Sequence, residues 1–355
     1  MWKDRRITQL FGIEHPIIPA PMGGAAVPAL AAAVANAGGL GSLGTATLHA
    51  EERRRQVEQL RALTSRPINL NYFVHAEPVA DPARTTRLQA RLAAWYAEHD
   101  AGEPPAPTAL IPIFDREALE HLLAVRPAVA SFHFGLPKPA DVAAIKAAGI
   151  KLIASATTPK EAKALEAGGV DAVIAQGWEA GGHRGTFAPP YGEGQIGTLA
   201  LVPQVVDAVG VPVIAAGGIA DGRGIAAALM LGASAVQLGT AFLSCPEAAV
   251  HPLHRQALAE GARASIVTAA FTGRPARALA NRYADEMAAA EADILDFPLQ
   301  ISQTWPLMQA TLARGSSEFL PMWAGQTYGL NRAMPAADLV AALAREATAR
   351  LSSAV

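Results

Sequence analysis

The feature that most constrains the fold is a repeated alternation of short apolar segments with helical patterns. Eight segments are predicted to be buried strands, because each is a short run of apolar or small residues bounded by glycine, proline or polar residues. They are residues 16–22, 38–44, 67–73, 128–135, 151–156, 170–176, 211–216 and 234–242. Strands that alternate with helices form parallel sheets, and eight such units predict a closed (β/α)8 TIM barrel instead of an open sheet.

Two regions do not follow this repeat. Residues 75–107 lose the periodicity except for a predicted helix at 85–99, and the chain beyond residue 242 is rich in alanine. Further helices are predicted at residues 28–37, 50–63, 115–125, 159–167 and 222–231 in the repeat, and at 268–277, 288–295, 299–314 and 336–352 beyond it. We therefore expect a barrel of residues 1–74 and 108–242, an insertion at 75–107, and a mostly helical cap and C-terminal region at 243–355.

Composition argues against several functional classes. Hydrophobic residues make up 51% of the chain, charged residues 17%, and the formal net charge is -2. No basic surface predicts nucleic-acid binding, and neither an export signal nor an apolar run of ~18 residues predicts a membrane association. Cys245 is the single cysteine, which excludes an intramolecular disulfide and a multi-cysteine metal site. We expect a cytoplasmic, metal-free protein that acts on small molecules as a monomer or homodimer.

The segment 176–185 is the clearest candidate site. It follows the sixth predicted strand and contains four glycines, among them Gly181 and Gly182. A backbone of this kind can approach a flat or phosphorylated ligand closely. The amide of Gln176 can donate and accept hydrogen bonds in one plane. The alternative interpretation is a glycine-rich turn that contacts no ligand.

Two further loops follow the last two predicted strands. Their residues are Gly217 and Gly218 after the seventh strand, and Gln237, Leu238, Gly239 and Thr240 at the end of the eighth. In phosphate-binding barrels these two loops hold a phosphate with backbone N–H groups. One glycine pair alone would more often only pack a helix on a strand, but two such loops in neighbouring strands favour a phosphate.

These positions suit flavin mononucleotide (FMN). Its phosphate would lie at the last two strands, Gln176 at strand six would meet the pyrimidine edge, and Asn69 at strand three would reach the centre of the ring. Asn69 and Asn71 point to the same side of their strand, and buried amides either pair with the protein or reach a polar ligand. The loop predicted to pass under the ring contains Ala20, Pro21 and Met22.

His133 is the candidate for acid–base chemistry. It lies on the fourth predicted strand between Phe132 and Phe134. A histidine can transfer a proton near neutral pH, and burial beside aromatic rings favours the neutral form that a general base requires. The alternative is a core histidine bonded to the backbone. His183, in the glycine-rich segment, competes for this role and is a second candidate substrate contact.

Together these motifs resemble the class I nitronate monooxygenases, formerly called 2-nitropropane dioxygenases. The motifs are residues 16–22, 131–135, 154–158, 176–185, 215–224 and 237–242, and the resemblance runs from about residue 5 to the end. It implies an FMN-dependent barrel that oxidises alkyl nitronates, notably propionate 3-nitronate, with molecular oxygen to a carbonyl compound and nitrite. It also implies that His133 lies beside the nitronate. The residues implied to hold the flavin are Asn69, Gln176, Gly181, Gly218 and 237–240.

The chain departs from the family pattern at Pro19, where many relatives carry glutamine. A rival interpretation is a flavin-dependent NAD(P)H reductase of the same barrel type, acting on quinones or enoyl thioesters. Rapid anaerobic bleaching of the flavin by NADH would favour the reductase.

Overall fold

Eight parallel strands form the central sheet of the computed structural model, which describes residues 2–188 and 191–353. They are β1 (Ile17–Pro19), β2 (Gly41–Leu43), β3 (Ile68–Phe73), β4 (Val129–His133), β5 (Lys151–Ala156), β6 (Ala172–Gln176), β8 (Val213–Ala216) and β9 (Ala235–Leu238), while β7 (Gly182–His183) belongs to a smaller sheet. The pairing order is β1-β9-β8-β6-β5-β4-β3-β2. The N–H of Leu40, just before β2, donates to the Ile17 carbonyl at 3.1 Å. This bond joins the two ends, so the predicted (β/α)8 barrel is confirmed.

The helices follow the predicted alternation. They are α1 (Arg6–Phe11), α2 (Pro28–Asn36), α3 (Ala50–Leu63), α4 (Pro82–Glu98), α5 (Arg116–Val125), α6 (Pro139–Ala147), α7 (Pro159–Ala167), α8 (Thr198–Ala208), α9 (Gly222–Met230), α10 (Thr240–Leu243), α11 (Pro252–Glu260), α12 (Arg282–Met287), α13 (Leu299–Ala313) and α14 (Ala336–Ser353). Several begin with proline, whose fixed φ suits the first helical turn. Thr158 and Asp221 cap α7 and α9, because their side chains accept N–H groups of the first turn.

The barrel interior is apolar at its amino end. There α1 contributes Ile7 and Phe11 to a buried cluster with inward side chains of the strands, such as Ile18, Ile153 and Ile214. Because this end is filled, a ligand can enter only from the carboxyl ends of the strands, where barrel enzymes place their active sites.

The last helix belongs to the barrel. Leu339, Val340 and Leu343 of α14 are buried in the layer between strands and helices, and α14 packs against α9 and α2. It therefore occupies the position of the eighth barrel helix, and the segment between β9 and α14 is an insertion at the carboxyl end. The expected region 243–355 thus divides between the cap and the barrel. Residues 1, 189–190 and 354–355, which the expected domain bounds include, lie outside the described residues.

The cap has a hydrophobic core of its own. Leu88, Leu92 and Trp95 of α4 are buried against Tyr283 and other side chains that follow β9 in the chain. The insertion after β3 and the long segment after β9 therefore form one layer over the barrel mouth.

A three-stranded antiparallel sheet completes the cap and corrects one prediction. β10 (Ser265–Thr268) pairs with β11 (Ala276–Leu279), which pairs with β7 of the glycine-rich segment. The helix predicted at 268–277 is therefore wrong: Gly273 has a φ of +88° in the connection, and the β-branched run before it suits a strand. Residues Ala288–Asp293 form a 3-10 helix, and α13 agrees with its prediction. Among the described residues, no helix has the length and apolar character needed to cross a bilayer.

Candidate active site

A cavity of about 560 Å³ lies at the carboxyl ends of the barrel strands, between the barrel and the cap. Most of the predicted site residues line it. These are Ala20, Pro21, Met22, His133, Gln176, Gly181, Gly182, His183, Gly217, Gly218, Gln237, Gly239 and Thr240. The folding of the chain therefore brings together loops that are far apart in sequence.

The loops after β8 and β9 present backbone to the cavity. Gly217 and Gly218 have φ values of +101° and +68°, and a Cβ on Gly217 would lie 3.0 Å from the Ala180 nitrogen. Both positions therefore require glycine. Within the described residues, no backbone acceptor is assigned to the N–H groups of Gly218, Gly239 and Thr240. These donors suit an anion such as a phosphate.

The N–H groups of Gly218, Gly239 and Thr240 are called the anion cradle below, and Thr240 links them to the cap. Its hydroxyl oxygen accepts the Gly325 N–H at 2.8 Å, so its own O–H is available to donate. The first loop closes the same side of the cavity, because the Ala20 N–H donates to the Leu238 carbonyl at 2.8 Å. A Cβ built on Gly239 would lie 3.4 Å from the Ala20 Cβ and 3.6 Å from the Met22 sulfur, so these two loops lie close together. The three loops thus form one continuous rim.

Two predicted cofactor residues do not line the cavity. Asn69 is fully buried below it and donates to the Ser42 hydroxyl at 3.2 Å, and Leu238 packs in the layer between strands and helices. Asn71, two residues closer to the carboxyl end, lines the cavity and donates to Ser131 Oγ at 3.1 Å. Both amides do share one side of β3, as predicted, but the cavity meets only the later one. We therefore propose Asn71 in place of Asn69.

Gln237 lines the cavity and carries a buried donor without a partner among the described residues. The side chain is 92% buried, with 8% exposed, and its Nε2 has no hydrogen-bond partner in the described part of the chain. A buried amide without a partner costs free energy unless a ligand supplies an acceptor.

The Gln176 amide bonds to its own loop. Its Nε2 donates to the His183 carbonyl at 3.0 Å, and its Oε1 accepts the Gly185 N–H at 2.7 Å. Each end of the amide therefore fixes the chain that carries His183 and Gly185. The amide retains a second N–H for a ligand.

His133 shares the His183 carbonyl with Gln176. Its Nε2 lies 3.1 Å from that oxygen, which can only accept, so the proton is on Nε2. Nδ1 then carries the lone pair, and no partner among the described residues is assigned to it. Burial lowers the pKa of His133 from 6.5 to about 3. The side chain is thus an uncharged base whose free nitrogen is Nδ1.

The side chain of His183 contacts the cap. Its Nε2 lies 3.0 Å from Thr272 Oγ1, and burial lowers the pKa of His183 to about 3. The rings of Phe297 and Trp323 are 5.4 Å and 5.5 Å from it, centroid to centroid. No local sequence pattern predicts these contacts, because Phe297 and Trp323 lie more than a hundred residues further along the chain.

Buried ionic groups hold the glycine-rich segment in place. Arg184 donates to the carbonyls of Gly177, Gln176 and Gly194 at 2.6, 3.0 and 3.0 Å. The Glu161 carboxylate accepts the N–H groups of Phe187 and Ala188 at 2.7 and 2.9 Å. These bonds fix both sides of the His183 carbonyl that orients His133.

These residues fit a phosphate-bearing flavin. Gly218, Gly239 and Thr240 of the anion cradle, Gln237 with its unpaired Nε2, and the uncharged His133 all line one cavity. In residues 2–188 and 191–353, no three His, Cys, Asp or Glu side chains come together as a metal site would require. The donors therefore suit an anionic organic group.

Comparison with known proteins agrees with this chemistry. The family model for nitronate monooxygenase matches residues 4–346. Nitronate monooxygenases from Pseudomonas aeruginosa and Paraburkholderia phytofirmans are 48% and 45% identical, over 96% of this chain and over 98% and 94% of their own lengths. The crystal structure of nitroalkane oxidase from Streptomyces ansochromogenes has a TM-score of 0.91 and 39% identity, covering 99% of this chain and 100% of that one. Because these matches span the strands that carry His133 and both glycine loops, the chain belongs to the nitronate monooxygenase family, and it is a flavin-dependent enzyme of nitronate oxidation.

Proposed function

We propose that the protein is an FMN-dependent monooxygenase that converts alkyl nitronates, such as propionate 3-nitronate, and molecular oxygen to a carbonyl compound and nitrite. The observation that carries the proposal is the uncharged His133, which lines the same cavity as the glycine loops and whose Nε2 is bound to the His183 carbonyl. When bound, FMN supplies the oxidising chemistry. We also propose that the protein acts in the cytoplasm.

The backbone would hold the phosphate of FMN. The N–H groups of Gly218, Gly239 and Thr240, with the Thr240 hydroxyl, would donate to the phosphate oxygens. Asn71 and Gln237 would donate to the polar edges of the cofactor from the barrel floor, and Gln176 would use its second N–H. Ala20, Pro21, Met22, Gly181, Gly182 and Gly217 would contact the cofactor through backbone and small side chains.

His133 would move the proton. For a neutral nitroalkane, Nδ1 of His133 would accept a proton from the carbon that bears the nitro group, which generates the nitronate in the cavity. The His183 carbonyl would keep the imidazole oriented through Nε2. A preformed nitronate needs no proton transfer, so His133 would then only position the anion. His183, which lines the cavity beside His133, would also contact the substrate.

The visible spectrum of the purified protein tests the cofactor. We expect flavin absorbance, and release of FMN on heating, identified by its mass. Nitrite release from ethyl nitronate in air tests the reaction, and oxygen consumption tests the oxidant. A colourless protein that does not bind added riboflavin phosphate would contradict the proposal, and fast anaerobic bleaching by NADH without nitrite release would indicate a reductase.

A further inference from the structure

A hydroxyl group of the cap contacts the imidazole of His183. Thr272, which is 7% exposed, lies in the connection between β10 and β11, and its Oγ1 is 3.0 Å from Nε2 of His183. The same oxygen is 3.3 Å from the Arg274 carbonyl oxygen. A hydroxyl group has only one proton for these two contacts. The hydrogen bonds of Thr272 are therefore coupled to the position of the proton on the imidazole.

The two contacts determine which nitrogen of His183 is protonated. A carbonyl oxygen can only accept, so the Thr272 O–H donates to Arg274 and the Thr272 oxygen is left to accept. Nε2 of His183 must therefore carry the proton that is donated to Thr272. Burial lowers the pKa of His183 to about 3, so the imidazole has one ring proton at neutral pH. Nδ1 then carries the lone pair and is a hydrogen-bond acceptor.

Backbone bonds hold the chain around His183 independently of this hydroxyl. β11 pairs with β7 opposite His183, and the Pro275 carbonyl accepts the Arg184 N–H at 2.9 Å. The His183 carbonyl, which orients His133, is therefore fixed by the backbone of the cap and not by the Thr272 side chain. Loss of the hydroxyl should act on the imidazole of His183 and leave that of His133 unchanged.

We propose that Thr272 is a positioning residue that keeps the proton of His183 on Nε2, so that Nδ1 meets the substrate as a hydrogen-bond acceptor. The proposal rests on the proposed function, in which His183 contacts the substrate. The tautomer of a histidine is set by the hydrogen bond that its other nitrogen makes. An acceptor suits a neutral nitroalkane, whose acidic C–H it can engage, whereas a protonated Nδ1 could only donate.

Nitrogen NMR of the flavin-loaded protein, with ¹⁵N in its histidine rings, measures the tautomer directly. Protonated and unprotonated ring nitrogens have well separated chemical shifts, and the His183 signals are identified by their loss in His183→Asn. We expect the proton on Nε2 in the unmodified protein and in Thr272→Ser, which keeps the hydroxyl. Thr272→Val should move the proton at least partly to Nδ1, while the His133 signals stay in place. An unchanged tautomer in Thr272→Val would overturn the proposal.

Kinetics of the same variants test the use of Nδ1 by the substrate. We expect Thr272→Val to lower kcat/KM for nitroethane about tenfold relative to that for ethyl nitronate, and Thr272→Ser to preserve both values. Thr268→Val is the matched control, because Thr268 lies in β10 of the same hairpin and its hydroxyl oxygen accepts the Ala270 N–H at 3.1 Å. It should change neither the tautomer nor the kinetics.

Three results would contradict the proposal or its basis. Equal losses in Thr272→Val and in Thr272→Ser or Thr268→Val would assign the effect to packing and overturn the role of the hydroxyl. A shifted tautomer with unchanged nitroethane turnover would overturn the contact between Nδ1 and the substrate. Nitrite release from neither substrate by the unmodified protein would instead overturn the proposed function, and the NMR result would stand independently of it.

Discussion

The two halves of the cavity present different chemical groups to a ligand. The glycine half (Gly217, Gly218, Gly239 and Thr240) offers backbone N–H groups from two adjacent barrel loops. The aromatic half (Phe73, His133, His183 and Trp323) offers side chains from two barrel strands, the glycine-rich segment and the cap. A side-chain substitution does not remove a backbone N–H donor. It can only block the ligand from reaching that donor. The glycine half is therefore suited to a fixed cofactor, and the aromatic half can change with the substrate.

Blocking the glycine half should have the largest effect. Gly218→Val would place a branched side chain at a φ of +68°, with its Cβ 3.3 Å from the Glu179 side chain, beside the N–H groups proposed to hold phosphate. We expect FMN affinity to fall at least about a hundredfold, measured by quenching of flavin fluorescence, with loss of all nitrite release.

A matched glycine separates the loss of binding from backbone strain. Gly149 has a φ of +80°, and nothing lies within 4 Å of a Cβ built there. Gly149→Val should cost about 1–2 kcal/mol of folding free energy through the left-handed backbone, yet keep its flavin. Equal flavin loss in both variants would assign the effect to strain and contradict the phosphate cradle.

Removing the base in the aromatic half should affect one substrate class more than another. His133→Asn removes the proton acceptor but keeps a polar side chain, so turnover of neutral nitroethane should fall about 10²–10⁴-fold. Turnover of preformed ethyl nitronate should fall much less, because no proton must be moved. Nitrite release from both substrates measures the difference, and His121→Asn on the barrel exterior serves as the control. Equal losses for the two substrates would show that His133 only positions the anion.

Two glutamines that line the cavity, Gln176 and Gln237, allow the effects on catalysis and on cofactor binding to be separated. Gln176→Glu replaces the Nε2 donor to the His183 carbonyl with an acceptor, which disturbs the group that orients His133. We expect nitroethane turnover to fall about tenfold, and a carboxylate near the imidazole to raise the pH below which turnover is lost. Flavin affinity should fall less than nitroethane turnover does, because Gln176 is proposed to give the cofactor only its second N–H.

Gln237→Glu is the counterpart, because it replaces an Nε2 without a protein partner. It should weaken FMN binding about tenfold and leave the ratio of nitroethane to ethyl nitronate turnover unchanged. If Gln176→Glu weakened FMN binding more than Gln237→Glu did, and only Gln237→Glu changed the ratio, Gln176 would be the main cofactor contact and Gln237 the positioning residue.

The glycine half was predictable from sequence, and the aromatic half was not. Gly217, Gly218 and Gly239 follow strands whose apolar pattern is local, so a motif and a strand end together predicted their place. His133 was predictable for the same reason. Trp323 reaches the cavity, and Phe297 reaches the ring of His183, only through the packing of the cap, which no local pattern predicts. The connection between β10 and β11 was predicted as a helix at 268–277. Asn71 was also predictable from sequence. Of two amides on one face of a barrel strand, the one nearer the carboxyl end of the strand lies closer to the barrel mouth.

The smallest expected effect concerns pH, and it tests how completely the aromatic half excludes water. A general base must be unprotonated, so activity persists above its pKa and is lost as the pH falls through it. Burial lowers the pKa of His133 to about 3. The kcat/KM for nitroethane should therefore change little between pH 8 and pH 5, whereas a base with a pKa of 6.5 would lose about thirtyfold over that range. Nitrite release at each pH measures this, with ethyl nitronate as the substrate that needs no base. A fall centred near pH 6.5 with nitroethane alone would show that water reaches the imidazole and that the aromatic half stays open during turnover.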